Sequence, residues 1–423
     1  MKLRVFHASD GDCHLLSTDD ERHHMLVDGG RKGTFKDNVR QHLATLREEG
    51  TGLDIVCVSH IDNDHISGIV QLLEDEVEWR KFEFRKASDP DARSPSVPRP
   101  PQIGQVWHNA LFWLVGEDLA PQVESALGTS AALLAGSDDR GVQNLASQYE
   151  NLATGEKSSM ELSRRISDEQ LGIALNPFAS GDLMKRGTPG ETIQLGGMDL
   201  FVLGPSDDDL EALRLDWKKW VDEEEETLTD LHRKMLFDEQ ELGALSPELV
   251  ANPIAAGLGE GLSSITPPNL ASLMLLAEEG DETILLTGDG ESVEILQGLE
   301  HHGKLDADGT IHVTVLKVQH HGALANVTQE FVDRVAADHY VFCGNGAHSN
   351  PEMEVVEAFA RVRLENPGRA FKFWFTSSSA TPGLSEGRRA HMEAIEALVD
   401  RLITESSGLM TAAFLPQGHF SVL

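Results

Sequence analysis

Residues His60-Ile61-Asp62-Asn63-Asp64-His65 string four metal-competent side chains into one H-x-D-x-D-H motif. The motif follows Leu53-Asp54-Ile55-Val56-Cys57-Val58-Ser59, an apolar run that reads as a buried strand, so its side chains sit where a strand-end loop can aim them at one point. Two imidazoles and two carboxylates held this close repel or desolvate badly unless a cation binds them together. The string therefore reads as a metal site, and as a binuclear one. The alternative is a polar loop capping a helix that starts near Ser67-Gly68-Ile69, with Asp64 as the cap and His65 solvated. The specific order of the string and the related motifs downstream favour the metal.

A chain of 423 residues with 40% hydrophobic content can build a substantial core in one large or two ordinary domains. The start, Met1-Lys2-Leu3-Arg4-Val5-Phe6-His7, has no apolar h-region and no stretch approaches a bilayer span, so a soluble, non-exported, cytoplasmic protein without membrane contact is expected. Three cysteines, Cys13, Cys57 and Cys343, make no disulfide framework and fit a reducing compartment. Cys57 reads as inert core; Cys13 and Cys343 fall near site loops without zinc-knuckle spacing and read as structural.

Seventy acidic against 35 basic residues give a formal net charge of -35, which repels polyanions and argues against a long duplex as ligand. Arg80, Lys81, Arg85, Lys86, Arg93 and Arg99 form a local basic island, shortly after the metal string, that could meet a phosphate-bearing ligand at a cleft mouth. A solvated loop is the plainer reading of the same residues.

Strand-like runs lead to turns at Leu3 to His7, Cys13 to Leu16, Met25 to Val27 before Asp28-Gly29-Gly30, and Asp54 to Ser59. After the linker Ser88 to Pro101 and Val106-Trp107-His108-Asn109, residues 110–188 read as a largely helical insertion. A hairpin is expected over Thr192 to Leu203. The 206–265 stretch reads as a second helical insertion, its amphipathic pattern (Leu210, Leu213, Trp217, Trp220, Leu228, Leu231, Met235) carrying the run Asp222 to Glu226 on a solvated face. Strands return at Ser272 to Leu276, Thr283 to Thr287, Val313 to Val318, Tyr340 to Phe342, Phe371 to Phe375, Ala412 to Leu415 and Phe420 to Leu423. Strand-rich halves separated by helices suggest a layered α/β sandwich in a single domain.

Further metal-competent residues close these later strands. Leu285-Leu286-Thr287-Gly288-Asp289-Gly290 sets Asp289 between two glycines, where a carboxylate can be shared by two cations, and Leu316-Lys317-Val318-Gln319-His320-His321-Gly322 delivers a histidine pair. The ordered set Asp28-Gly29-Gly30, His60-x-Asp62-x-Asp64-His65, Thr287-Gly288-Asp289 and Lys317-Val318-x-His320-His321-Gly322 resembles the metallo-β-lactamase superfamily, most nearly the branch similar to the hydrolase domain of the DNA-uptake protein ComEC. The turn Asp10-Gly11-Asp12-Cys13, Asn269 with Ser272, and Gly346-Ala347-His348-Ser349-Asn350-Pro351 add to the likeness.

The resemblance implies an αββα sandwich with a dinuclear centre at one edge. His60 and Asp62 would hold the first ion, with His108 as third ligand; a buried, hydrogen-bonded histidine beside Trp107 is the competing reading. Asp64 and His65 would hold the second ion, Asp289 would bridge both, and His321 would complete the second site while His320 acts at the leaving group, an ordering that can be exchanged. The superfamily more commonly has histidine where this chain has Asp62, which adds a negative charge and a harder oxygen donor; zinc remains the first choice, and manganese becomes credible. Two such ions lower the pKa of a shared water to roughly 7, giving hydroxide that Asp64 and Asp289 would orient. Lys317, His320 and His348 are candidates to steady the leaving oxygen, although His348 could equally cap the helix that follows. The expected activity is that of a phosphodiesterase or nuclease-like enzyme acting on a nucleotide or other phosphoester. Lactone, thioester or lactam hydrolysis is the second reading, and a metal-stabilised effector that meets a protein partner through its helical insertions is the third.

Overall fold

The computed structural model describes residues 1–109, 157–188, 192–212, 214–215, 271–365 and 368–423. Its strands in chain order are β1 (Lys2–Phe6), β2 (His14–Ser17), β3 (His24–Val27), β4 (Leu53–Val58), β5 (Ile103–His108), β6 (Ala174–Leu175), β7 (Ile193–Leu195), β8 (Met198–Gly204), β9 (Met274–Glu279), β10 (Glu282–Leu286), β11 (Ile311–Lys317), β12 (Val335–Phe342), β13 (Phe371–Phe375), β14 (Met410–Phe414) and β15 (His419–Ser421). They form two sheets, ordered β15-β1-β2-β3-β4-β5-β6 and β14-β13-β12-β11-β10-β9-β8-β7. β3 to β6 run parallel in the first sheet and β10 to β14 in the second, while β1, β2, β15 and β7 to β9 pair antiparallel.

Period-two alternation sorts the side chains into layers. On β4, Ile55 and Cys57 face the second sheet, whereas Val56 and Val58 face the helices. On β12, Val341 and the following Cys343 enter the same intersheet layer, and Tyr340 and Phe342 pack under the helices Met353–Glu365 and Glu386–Glu405. Three apolar layers result, one between the sheets and one on each outer face, which is an αββα sandwich. Among the described residues no helix is long and apolar enough to cross a membrane.

The described part of the first expected insertion holds a helix over 157–166 but also β6, which extends the first sheet beyond β5. A two-residue strand has no periodicity to read, so a helical reading passed over it. Residues 110–156 and 216–270, with Trp217, Trp220, the acidic run at Asp222 and Asn269, lie outside the described residues.

The helix Asn63–Ser88 is seated on the first sheet by backbone contact. Gly29 N–H donates to His65 O (2.8 Å) and Gly68 N–H to Gly30 O (2.9 Å), an approach that side chains would prevent. A Cβ at Gly68 would stand 2.0 Å from the Gly29 carbonyl oxygen. Alanine would gain about 1 kcal/mol in helix propensity, but overpacking against unyielding backbone costs about 1–3 kcal/mol or more. With the Cβ inside contact distance of backbone the upper end of that cost applies, and Gly68→Ala is expected to destabilise the fold by about 2 kcal/mol or more net in urea unfolding. An unchanged or raised midpoint would contradict this packing.

Candidate metal centre

The parallel strands of both sheets end at one edge, and their last residues and following loops build the site. β3 leads to Asp28, β4 to His60, β10 to Asp289 and β11 to His320 and His321; the β1–β2 turn brings Asp12 to the same edge. Gly11 permits that turn to touch the long helix, since a Cβ there would stand 1.7 Å from Asp64 O. The helix begins at Asn63, and Asp62 occupies its N-cap without a side-chain capping hydrogen bond. The capping alternative, with Asp64 before a helix near Ser67 and His65 in solvent, does not hold: the helix starts four residues earlier, Asp64 lies within its first turn, and His65 is buried.

Four imidazoles converge on one carboxylate oxygen. The Nε2 atoms of His60, His65, His320 and His321 lie 3.5, 3.6, 3.7 and 3.5 Å from Asp289 Oδ2. His65 Nε2 stands 3.4 Å from His321 Nε2, and Asp64 Oδ2 is 3.5 Å from His321 Nε2 and 3.9 Å from His65 Nε2. Asp62 Oδ2 is 3.9 Å from His60 Nε2. These separations exceed good hydrogen bonds, yet two donors bound at about 2.0–2.1 Å to one tetrahedral ion stand roughly 3.3–3.4 Å apart. His60 Nε2, Asp62 Oδ1 and Asp289 Oδ1 are buried without hydrogen-bond partners. A donor set so spaced, with orphaned buried atoms, fits divalent metal ions.

Outer carboxylates aim the rings. His65 Nδ1 donates to Asp28 Oδ2 (2.9 Å), which also accepts from Ser59 Oγ (2.6 Å), while Asp28 Oδ1 accepts from Ser59 N–H (2.7 Å). His321 Nδ1 lies 3.2 Å from Asp12 Oδ1. Each contact leaves Nε2 facing inward, the arrangement that fixes tautomer and ring orientation in histidine metal sites. Asp289 is clamped in turn: its N–H donates to Ser272 Oγ (3.3 Å) and its carbonyl accepts from Asn326 Nδ2 (3.0 Å).

Electrostatics record a cluster in which protons stand where cations would. Burial would raise the pKa of Asp289, but His321, His65, His320 and His60 outweigh it and hold the carboxyl well below the usual range. Burial also opposes the charged form of His321, yet Asp289 and Asp12 lift its pKa to about 10; His65 rises well above its ordinary value against burial through Asp289 and Asp28. Burial and then Asp64 push Asp62 up to about 7, and burial and then His65 lower His60 to about 4.

The other expected residues are placed differently. Lys317 is buried (1% exposed) beneath the cluster, paired with Asp12, donating to Gly288 O (2.6 Å) and 3.5 Å from Asp289 Oδ1. It is closed off from a leaving group at the mouth. His320 is half-buried and its Nδ1 is held by Asn326 Oδ1 at 2.6 Å. His348, with a left-handed φ of 53°, is exposed in the short 3₁₀ turn Ala347–Ser349, within electrostatic reach of Asp10, Asp64 and His320. His108 is buried at the end of β5, its Nε2 3.0 Å from Ser159 Oγ and its Nδ1 without a hydrogen-bond partner.

The basic island does not reach the cluster. Arg80, Lys81, Arg85 and Lys86 sit toward the far end of the helix whose first turn holds Asp64 and His65, so at about 1.5 Å per residue they stand roughly 20 Å or more away. Arg80 pairs with Glu76, Lys81 with Glu78 and Arg99 with Glu83. Sequence proximity gave no hint of the helix's 26-residue length. Besides the buried Lys317, an arginine outside the island, Arg31, stands near the cluster, where it forks onto Asp10 (2.7 and 3.0 Å) and lowers the pKa of Asp62 and Asp64. Arg31 and Asp12 lacked a metal-ligand spacing that sequence reading could detect.

Residues 9–76 match the family model described as the metallo-beta-lactamase superfamily. The matched stretch contains Asp12, Asp28 and the string from His60 to His65; Asp289, His320 and His321 lie beyond it and are joined to it by the fold. No match is found among curated proteins. The domain match and the buried ligand cluster together support a metal-dependent hydrolase in general.

Two outcomes follow from the ring-orienting contacts and the proton load. Asp28→Asn, whose residue keeps the left-handed φ of 58° that asparagine tolerates, is expected to lower metal affinity by about 10–100-fold while circular dichroism is unchanged. Undiminished affinity would remove Asp28 from the site. The pKa values of His65 and His321 are raised in the metal-free cluster, so ion binding is expected to release protons and to strengthen as pH rises. Calorimetric titration with zinc in buffers of different ionisation enthalpy should show that release. The same raised pKa means that His321 stabilises the metal-free fold below its ordinary pKa, a contribution lost as pH climbs through about 10.

Proposed function

We infer that the chain is a dinuclear metal-dependent phosphodiesterase acting on a nucleotide, a short single strand or another small phosphoester. The convergence of four imidazole Nε2 atoms on Asp289 Oδ2 at a strand-end edge carries this reading. When bound, two divalent ions would supply Lewis acidity toward a phosphoryl oxygen and a water nucleophile competent near neutral pH. His60 and Asp62 would hold one ion, with His108 offering its unpartnered Nδ1 as a third donor; Asp64, His65 and His321 would hold the other, and Asp289 would serve both. Zinc suits the imidazoles, and the carboxylate of Asp62 makes manganese credible.

The protein's own groups then divide the work. Asp64 and Asp289 orient the attacking water, a P–O bond forms as the opposite P–O bond breaks, the proton shed by the water passes to solvent, and the departing oxygen takes up a proton from solvent on the half-buried side of the cluster, where His320 lines its exit. His348 contacts the substrate at the rim. Lys317 positions Asp12 and Asp289 from below. Likeness of the motif set to the ComEC-like branch selects phosphodiester over acyl substrates, and the net charge of -35 selects small substrates over long duplexes.

Hydrolysis of bis(p-nitrophenyl) phosphate by the metal-loaded protein, with nitrocefin and a lactone panel left untouched, is the expected result. Asp289→Ala should lose at least one metal equivalent and slow turnover by roughly 10²–10³-fold or more. Acyl hydrolysis without phosphodiesterase activity, or unchanged occupancy and rate in Asp289→Ala, would overturn the assignment.

A further inference from the structure

A second set of donors lies behind the first. Ligand atoms of Asp12, His14 and Cys343 stand within 4.8 Å of one another, and all three residues are buried. Asp12 and His14 are two residues apart, where the β1–β2 turn enters β2, while Cys343 arrives from the other sheet, following the last residue of β12. Leu16 and Val341, each two residues along from His14 and Cys343, face the intersheet layer, so period two sends the imidazole and the thiol into that layer from opposite sheets. His14 is only 2% exposed, and neither of its ring nitrogens has a hydrogen-bond partner. Its nearest charged contact is Asp12 Oδ2, 3.9 Å from Nε2. An imidazole stripped of water and left without partners is costly, and rare unless something binds it.

The geometry points to a second, structural metal site at Asp12, His14 and Cys343 that takes a thiophilic divalent ion of the zinc or cobalt kind and pins the two sheets together behind the hydrolytic centre. One thiolate, one imidazole and one carboxylate form a donor set that favours such ions over magnesium or manganese. Binding breaks the Cys343 S–H bond and releases the proton to solvent, while His14 enters neutral. The thiolate and the Asp12 carboxylate balance the dication. Lys317, which shares Asp12, keeps a second anion in Asp289 Oδ1 at 3.5 Å and an acceptor in Gly288 O at 2.6 Å. Asp12 would thereby fix His321 from a metal-anchored turn.

Cobalt(II) loading of the whole protein tests this, because the centre built on Asp289 contains no sulfur ligand. A thiolate-to-cobalt charge-transfer band in the near ultraviolet is expected. It should vanish in Cys343→Ser, weaken in His14→Gln and persist in Cys57→Ala, and Cys343→Ser should bind one metal equivalent fewer than the parent at equal circular dichroism. The band should also survive Asp289→Ala, which removes at least one ion from the hydrolytic centre. A fully loaded parent protein without the band needs no variant to fold and overturns the site, as does a band that outlasts Cys343→Ser. Phosphodiesterase failure with the band intact would sink only the hydrolytic reading.

Discussion

Burial of Asp289 is the constraint on which the rest of the site depends. A carboxylate 2% exposed must be compensated, and here it is compensated by four imidazoles drawn from two sheets rather than by a hydrogen-bond network. Imidazoles in turn repel one another when protonated, and the two on the first sheet have ring centroids only 4.0 Å apart. Protons cannot satisfy such a set well, as the opposed shifts of His60 and His65 show. Divalent ions satisfy both halves, since each ion attracts the carboxylate and accepts a nitrogen lone pair.

Holding the set in place strains the chain. His320 and His321 both have positive φ, 46° and 55°, as do Asp28 at 58° and His348 at 53°, a conformation that side chains other than glycine adopt at a cost. The consecutive pair reverses the backbone just past β11, so that both rings reach Asp289 although neighbours on a strand would point apart. Such a turn persists only because its surroundings determine it. His320 N–H donates to Gly288 O, Asn350 Nδ2 to His320 O, and Asn326 holds the ring of His320. Gly322, at φ 86°, then lets the chain leave against Pro351, where a Cβ would come within 2.9 Å.

Local chemistry was legible in the sequence and long-range geometry was not. The string from His60 to His65 announced itself because its four donors fall within six residues at a strand end, and Asp289 and His321 were picked out by the same strand-end logic. Strand positions with strong alternation, such as Phe371 to Phe375, fell where expected. Asp12 did not stand out as a site residue, because its value comes from a contact with His321 more than 300 positions away. The basic island illustrates the opposite error: adjacency in sequence was read as adjacency in space, and an uninterrupted helix carried Arg80, Lys81, Arg85 and Lys86 off. His108 shows a third limit, since its partner Ser159 comes from a segment whose pairing with β5 has no sequence signal.

Lys317 shows how the two outer carboxylates come to differ. Asp28 is held by hydrogen bonds from Ser59, just past β4, and from His65 in the first turn of the long helix. Asp12 faces the second sheet, where β11 ends in Lys317, and a lysine 1% exposed survives there because Asp12 and Asp289 raise its pKa against the pull of burial. Replacing that ammonium by an uncharged side chain would leave Asp12 buried with an unbalanced charge, a loss of about 3–5 kcal/mol when one partner of a buried pair is removed. The lysine is thus tied to the floor of the site by the same charge balance that keeps it from the mouth. The open side is left to the half-buried His320 and the exposed His348.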